Sequence, residues 1–98
     1  MPSDIGRELF RNVVKALITL IELEEQNYVA TVSDFLNEAG LNKTIFFQHL
    51  KRNLERSGWV EFRVNPDRTI TVHLTEKGRK LAKCLKQCED ILKEAGVI

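Results

Sequence analysis

The sequence has few cysteines and prolines, two of each, and it lacks a long apolar run. Two cysteines and no secretory signal at the start favour a reducing cytosol over a disulfide scaffold. The most apolar stretch, Ala16 to Ile21, is closed by Glu22 and is far too short to cross a membrane. We therefore expect a cytoplasmic protein without membrane contact.

A large net charge is also missing, because the chain carries only +1 at neutral pH. The distribution of charge is uneven. Residues 1–41 have a net charge of −4, residues 42–80 have nine basic and four acidic residues, and residues 81–98 are neutral. The length of 98 residues, with 43% hydrophobic and 30% charged residues, is typical of one globular domain. The basic segment, residues 42–80, is the candidate region for binding an anionic partner.

Motifs that indicate catalysis or a metal site are missing as well. The sequence has no glycine-rich phosphate loop, no nucleophile elbow and no convergent carboxylate pair. His49 and His73 have no ligand spacing to Cys84 and Cys88. We interpret His49 as a packing or capping residue and His73 as a strand-surface residue beside Glu61. The sequence thus predicts no enzyme activity, no metal and no cofactor.

Apolar periodicity predicts a long first helix, which Ser3 or Asp4 can cap and which ends at the acidic residues before Gln26. The apolar residues that recur every four positions are Ile5, Leu9, Val13, Leu17 and Ile21. The next segment, Tyr28 to Ala30, is long enough only for a brief edge strand.

Capping residues predict two further helices close together. Thr31 and Asp34 form a variant of the capping box that opens a short helix, and Gly40 ends it. Asn42 can cap a third helix over residues 43–57.

After Gly58 the apolar period changes from 3.6 to 2, which predicts a β-hairpin. Val60, Phe62 and Val64 share one face, and residues 70, 72 and 74 repeat the pattern. Pairing of like faces places Val64 opposite Ile70 across a five-residue loop.

A last helix begins after Thr75, its predicted cap. The apolar residues step by four, three, four and three, which is the heptad spacing of a coiled-coil seam. They are Leu81, Leu85, Cys88, Leu92 and Ala95.

This order of elements resembles the winged helix-turn-helix superfamily. The stretches that carry the resemblance are Thr31–Leu36, Gly40–Thr44, Phe46–Arg52, Gly58–Val60 and Leu74–Leu81. The last stretch is similar to the wing exit of small prokaryotic regulators of the MarR and PadR type and of archaeal coiled-coil winged-helix proteins. The resemblance departs from the usual pattern in two ways. The segment from Leu50 to Gly58 is one residue longer, and Asn53 stands where leucine is common, so the third helix can be rotated or end differently.

The resemblance implies a mostly helical α+β fold with long terminal helices and a two-stranded wing. The expected divisions of this single domain, residues 1–98, are an N-terminal helix over 1–25, a helix-turn-helix over 31–57, a wing over 58–74 and a dimerisation helix over 75–96.

The resemblance also implies a homodimer that binds double-stranded DNA in a sequence-specific way and regulates transcription. The third helix would enter the major groove, and the wing would contact the backbone. The predicted DNA-binding residues are Lys43, Thr44, Gln48, Lys51, Arg52, Arg63, Asn65 and Arg68. Gln48 suits an adenine edge and Arg52 a guanine. A plainer alternative is that this polar face is only the solvated side of an amphipathic helix.

The heptad seam and the strongly apolar first helix favour a two-fold dimer built from the first and last helices. The residues predicted at its interface are Leu17, Ile21, Leu81, Leu85, Cys88 and Leu92. The alternative is a monomer whose last helix folds back on the first. Two functional alternatives also stay open: a protein–protein module, favoured if Ile45 and Phe47 are exposed, and an architectural or partition DNA-binding protein of a plasmid or virus. The sequence identifies no operator and no small-molecule effector.

Overall fold

A computed structural model describes residues 2–98 of the chain, with side chains from Gly6 onward. The cap predicted at Ser3 or Asp4, and the apolar contact of Ile5, lie outside the described side chains. The elements in chain order are α1 (Pro2–Glu25), α2 (Val32–Ala39), α3 (Lys43–Ile45), a π-helical turn (Phe46–Leu50), α4 (Lys51–Arg56), β1 (Val60–Val64), β2 (Ile70–Leu74) and α5 (Glu76–Glu94). The predicted α+β architecture, mostly helical with one two-stranded sheet, is confirmed.

The predicted N-terminal caps of three helices are confirmed. The side-chain oxygens of Thr31, Asn42 and Thr75 each accept a hydrogen bond from a backbone N–H three residues later, at 3.2, 3.1 and 3.0 Å. Gly40 and Gly58 follow helices with φ of +66° and +74°, the left-handed backbone that glycine adopts without strain. Short-range polar chemistry therefore sets where α2, the third helix and α5 begin.

The predicted register of the wing hairpin is also confirmed. The antiparallel strands β1 and β2 pair Val64 with Ile70 and Glu61 with His73 across a five-residue loop. The loop closes through a hydrogen bond from the Asn65 N–H to the Thr69 carbonyl at 2.8 Å.

The edge strand predicted at residues 28–30 is wrong, because no strand forms there. The segment is attached to β2 by one isolated bridge, between Thr31 and Thr71, and by a hydrogen bond from the Val72 N–H to the Ala30 carbonyl at 3.0 Å. Tyr28 and Val29 are exposed.

The hydrophobic core lies where α1, α2, the third helix and the hairpin meet. Its largest fully buried side chains are Leu17, Ile21, Phe35, Phe46, Leu50 and Leu54. Leu17 and Ile21 are 0% and 1% exposed within the single chain. Their predicted place in a dimer interface is therefore wrong, because they have no surface to offer a partner.

The predicted heptad seam of α5 divides into two parts. Leu81 and Leu85 are half-buried and pack on the core of their own chain, so only part of each side chain is left for the predicted interface. Cys88 and Leu92 are exposed. The first half of α5 is also tied to the end of α1 by ion pairs. Arg79 contacts Glu24 at 2.5 Å, and Lys86 lies 3.8 and 3.9 Å from the carboxylates of Glu22 and Glu25.

Gly78 allows the first turn of α5 to approach the start of the wing. A Cβ atom at this position would lie 1.8 Å from the Trp59 carbonyl oxygen, where no side chain fits. The same carbonyl accepts the Thr75 N–H at 3.0 Å, and the Lys77 ammonium donates to the Ser57 carbonyl at 3.0 Å. The glycine of the Leu74–Leu81 stretch is thus required by backbone packing, which fixes the wing relative to α5.

Candidate nucleic-acid interface

The third helix, defined here as α3, the π turn and α4 (residues 43–56), runs without a break but is not a regular α-helix. At its centre the Lys51 N–H donates to the Phe46 carbonyl, a spacing of five residues instead of four. A π turn takes up one residue more than an α turn, which is a structural way to accommodate the extra residue noted in the sequence. The Asn53 side-chain amide donates to the His49 carbonyl at 2.9 Å, so this unusual polar residue supports the end of the π turn.

The third helix buries one face and leaves the other in solvent. Phe46, Leu50 and Leu54 are at most 1% exposed and anchor the helix in the core. The exposed residues include four of the predicted DNA-binding residues: Lys43, Thr44, Gln48 and Arg52. His49 is exposed too, so the interpretation of this side chain as a packing residue is wrong.

Lys51, the fifth predicted residue on this helix, is less available than the other four. Its ammonium forms an ion pair with Glu55 at 2.8 Å and lies 4.8 Å from the ring centre of Phe62 in the wing. A cation over an aromatic ring is attracted by the negative face of that ring. Lys51 therefore links the third helix to β1, and part of its charge is already compensated.

The wing residues fall into two groups. The Asn65 amide donates to the hydroxyls of Thr69 and Thr71 at 3.2 and 3.5 Å, which makes it a stabilising group of the turn. Arg63 and Arg68 are exposed. Arg63 lies 3.4 Å from Glu61 on its own strand, and Arg68 occupies the left-handed region with φ of +70°.

Asp67 at the wing tip is held inside the turn. Its carboxylate accepts hydrogen bonds from the Thr69 hydroxyl at 2.6 Å and from the Thr69 N–H at 3.1 Å. These bonds stabilise the charged form and hold the pKa of Asp67 below its usual value. The acidic residue thus has a local function in the turn.

An open cleft of about 550 Å³ lies between α2, the start of the third helix and the wing. Two predicted DNA-binding residues, Lys43 and Arg68, line it together with Ser33 of α2. Phe47 also lines the cleft and is 49% exposed. The sequence interpretation placed Phe47 only at the margin of the buried face. The sequence feature that could have predicted the exposure of Phe47 is the pair Phe46-Phe47, because a helix directs only one of two consecutive rings into the core.

A second cleft, of about 350 Å³, lies where the wing meets α1 and α5. His73, Arg63 and Arg79 are among its lining residues. The His73 ring is 2.8 Å from the Thr71 hydroxyl. Burial first, and then the positive charge of Arg63, lower the pKa of His73, while Glu61 acts in the opposite direction.

Large apolar side chains are also exposed on both long helices. Phe10 of α1 is 68% exposed. The exposed apolar residues near the end of the chain are Ile91, Leu92, Val97 and Ile98. Cys84 and Cys88 are also exposed on α5 and form no disulfide. Scattered apolar residues are normal on a surface, but several within one short segment indicate a contact surface.

Two further properties concern only the part of the chain that the structure describes. From Gly6 onward, no group of three or more His, Cys, Asp or Glu side chains is arranged to hold a metal ion. Within residues 2–98, no helix combines the length and apolar content needed to cross a bilayer.

Known proteins share this arrangement. The family model of the ArnR1-like, winged-helix domain matches residues 3–92. Among solved structures, AF1382 from Archaeoglobus fulgidus is similar with a TM-score of 0.73 and 20% identity, and the match covers 83% of this chain and 87% of that one. The resemblance to the winged helix-turn-helix superfamily is therefore confirmed.

Two other similar structures come from proteins with a described role. MepR, a transcription regulator of the Staphylococcus aureus multidrug efflux pump MepA, has a TM-score of 0.65 and 22% identity, covering 97% of this chain and 78% of that one. Sso10a-2, a DNA-binding protein from Sulfolobus solfataricus, has a TM-score of 0.62 and 20% identity, covering 84% and 82%. Identities this low establish the fold alone. No curated protein sequence gives a significant match.

Proposed function

The chain belongs to the ArnR1-like winged-helix domain family, and on that basis we propose that it is a homodimeric transcriptional regulator that binds double-stranded DNA sequence-specifically in the cytoplasm. The observation that carries the proposal is the exposed polar face of the third helix, flanked across the cleft by Arg68. This face lies within residues 42–80, the segment with nine basic and four acidic residues. MepR and Sso10a-2, a transcription regulator and a DNA-binding protein, support the same function by analogy.

The third helix would supply the base contacts. Gln48 and Arg52 are both exposed. A glutamine amide matches the donor and acceptor of adenine in the major groove, and an arginine matches the two acceptors of guanine. Lys43 and Thr44 lie at the start of the helix, where a cation, a hydroxyl and free backbone N–H groups suit a phosphate.

The wing would contact the DNA backbone or the minor groove. Arg68 is the stronger candidate there, because Arg63 already lies beside Glu61. Asn65 and Lys51 would support the DNA-binding surface instead of contacting DNA directly. The reason is that both side chains already contact residues of their own chain. The wing therefore adds affinity rather than sequence selection.

The dimer would use exposed apolar residues of the two long helices. Leu92 and Ile91 near the end of α5 are 43% and 57% exposed, and Phe10 of α1 is 68% exposed. These side chains, with Cys88 between the core-packed and exposed parts of α5, replace Leu17 and Ile21 as the proposed interface. A two-fold dimer that reads successive major grooves would hold its third helices about 34 Å apart.

A protein–protein module is the second candidate, and the exposure of Phe47 favours it. Ile45, the other residue that would support it, is only half-exposed. Phe47 has the exposed polar residues Lys43, Thr44 and Gln48 near it on the helix, and the apolar Leu36 and Ile70 also line its cleft. Charged residues such as Lys43 are depleted at the centre of protein interfaces. We therefore place the DNA function first.

Fluorescence anisotropy at low salt on a duplex enriched from genomic fragments tests the proposal. We expect binding at micromolar protein or better. Arg52→Ala should weaken binding by about 1–3 kcal/mol and relax selection at one base pair, because it removes a base contact. Lys43→Ala should weaken binding to all sequences alike. It should also reduce the slope of log K against log[salt] by about one.

The matched control is Lys83→Ala, which removes one exposed positive charge from α5, outside the third helix and the wing. It should leave affinity nearly unchanged. No binding at micromolar wild-type protein contradicts the DNA function. Equal loss in the Lys43, Arg52 and Lys83 variants would instead indicate unspecific charge attraction.

A further inference from the structure

An aromatic ring lies exposed among the polar side chains of the proposed DNA surface. We propose that Phe47 determines specificity by packing on the 5-methyl group of a thymine in the major groove, next to the base pair that Gln48 contacts. This inference rests on the proposed DNA binding and names a base that the third helix selects.

The π turn is what brings Phe47 to the surface. Phe46 and Leu50, at the two ends of the turn, are 0% and 1% exposed, whereas the three residues between them are all exposed. In a regular α-helix these two anchors would leave Phe47 at the margin of the core, 100° from Phe46. The π turn has more residues per turn than an α-helix, so Phe46 and Leu50 lie more nearly in line along the helix, and Phe47 lies beside Gln48 on the exposed surface.

The exposed ring is held in place from below. Its centre lies 5.2 Å from that of Phe46, and the two planes are at 82°, an edge-to-face contact. Phe46 in turn makes edge contacts with Phe35 at 5.9 Å and with Phe62 at 6.0 Å. Phe47 therefore rests on an aromatic cluster that joins α2, the third helix and the wing. A ring fixed in this way loses little conformational freedom when it binds.

The surroundings of the ring define what can bind to it. Lys43 and Arg68 line the same open cleft as Phe47, and so do the apolar Leu36 of α2 and Ile70 of the wing. Thr44 and Gln48 are the exposed neighbours on the helix. A matching ligand must offer a small apolar group surrounded by hydrogen-bonding edges and negative charge. In the major groove, the thymine methyl is the apolar group that lies among base edges and phosphates.

The juxtaposition with Gln48 adds a second requirement. A glutamine amide pairs with the adenine N6 and N7 atoms, and phenylalanine makes apolar contact with the thymine methyl. Residues 47 and 48 are consecutive on the helix, so together they would select adjoining A·T pairs. The selected sequence should therefore contain an A·T step opposite the centre of the third helix.

The test removes the methyl group from the DNA and leaves the protein intact. A duplex is enriched from a random pool with the wild-type protein, and each thymine is then replaced singly by deoxyuridine, which has the same hydrogen-bonding edge without the methyl. We expect about a fourfold loss of affinity at one or two positions and no change elsewhere, the value for one buried methyl-sized group.

Two variants assign that loss to the ring. In Phe47→Ala the affinity for the thymine duplex should fall, and the deoxyuridine at the sensitive position should cause no further loss. Phe47→Leu keeps an apolar contact and should keep part of the sensitivity. Thermal melting verifies that both variants fold, and Phe47→Leu is the variant to use if the alanine variant is unstable.

Each other outcome overturns the inference. If the wild-type protein binds its enriched duplex but tolerates deoxyuridine at every position, Phe47 contacts no thymine methyl, and the proposed DNA function stands. If deoxyuridine at the sensitive position still lowers the affinity of the Phe47→Ala variant, another side chain contacts the thymine methyl. Unchanged DNA affinity of Phe47→Ala on every duplex would indicate a protein partner for the ring. Failure of the wild-type protein to enrich any duplex contradicts both the inference and the DNA function.

Discussion

The two halves of α5 carry the same apolar repeat but have different environments. In the first half, Gly78 and Ala82 are buried, and Leu81 and Leu85 pack on the core. Beyond Asp90 every residue of the chain is exposed. One heptad pattern therefore begins as an intramolecular contact and ends as an open surface.

The difference teaches that a repeat specifies a face of a helix but not what covers it. The first half of α5 is fixed by contacts the repeat does not contain, namely the close approach of Gly78 to Trp59 and the ion pair of Arg79 with Glu24. Beyond Lys86, α5 forms no ion pair with α1 among the side chains described from Gly6 onward. Apolar residues exposed together in one short segment suit a contact with a partner, which is why the proposed dimer uses them.

The largest effect should come from Gly78→Ala, which disrupts the packing of the first half of α5 against the wing. The added Cβ would lie 1.8 Å from the Trp59 carbonyl oxygen, so the backbone of α5 or of the wing must move. Overpacking against backbone typically destabilises a protein by about 3 kcal/mol at the upper end. For a domain of this size, the melting temperature should fall by roughly 12–24 °C, which differential scanning calorimetry measures.

Gly6→Ala is the control for the change from glycine to alanine itself. Gly6 lies in α1 with open space around its Cβ position. Because alanine has the higher helix propensity, this variant should be stabilised by about 0.5–1 kcal/mol. A Gly78→Ala protein as stable as the wild type would mean that the wing is not fixed to α5 by this contact.

The second-largest effect tests the exposed second half of α5. Leu92→Glu should dissociate the proposed dimer and leave the monomer folded. Leu92 is 43% exposed in the single chain, so a charge there is hydrated in the monomer but buried in the proposed interface. Losing one buried leucine from each protomer should weaken association by about 3 kcal/mol in total. Sedimentation equilibrium at micromolar concentration should then give a single species of monomer mass.

The matched variant is Gln87→Glu, which adds the same charge at an exposed position outside the apolar repeat. It should keep the dimer. A wild-type protein that is monomeric at micromolar concentration contradicts the proposal that the second half of α5 forms a dimer interface. Leu85→Glu is a poorer probe, because Leu85 packs on the core and its substitution would also destabilise the monomer.

Most of the fold was predictable because its signals are local. Thr31, Asn42 and Thr75 act as caps through hydrogen bonds over three residues, and side-chain parity alone placed Val64 opposite Ile70. Burial of Leu17 and Ile21 within one chain was not predictable in this way. An apolar stripe looks the same whether its own domain or a second copy covers it.

The candidate site was predictable as a helix face but not in detail. Periodicity identified the exposed residues Lys43, Gln48 and Arg52. It assumed 100° per residue and therefore missed the π turn, which depends on how the buried anchors fit the core. The consequences are the exposed Phe47 and the engagement of Lys51 with Glu55 and the wing.

The smallest effect concerns the contact between the wing and the first half of α5, where His73 lines a cleft with Arg79. Burial, and then the charge of Arg63, hold the pKa of His73 below the ordinary value, so the folded chain binds this proton more weakly than the unfolded chain. By linkage, stability is lost as the pH falls below about 6.5, the ordinary histidine value. Urea unfolding between pH 7 and pH 5 should therefore show a declining free energy of unfolding that His73→Gln flattens, while the same substitution at exposed His49 keeps the slope. If the His73 variant declines as steeply as the wild type, other groups carry the pH dependence, and the cleft between wing and helix is open to water.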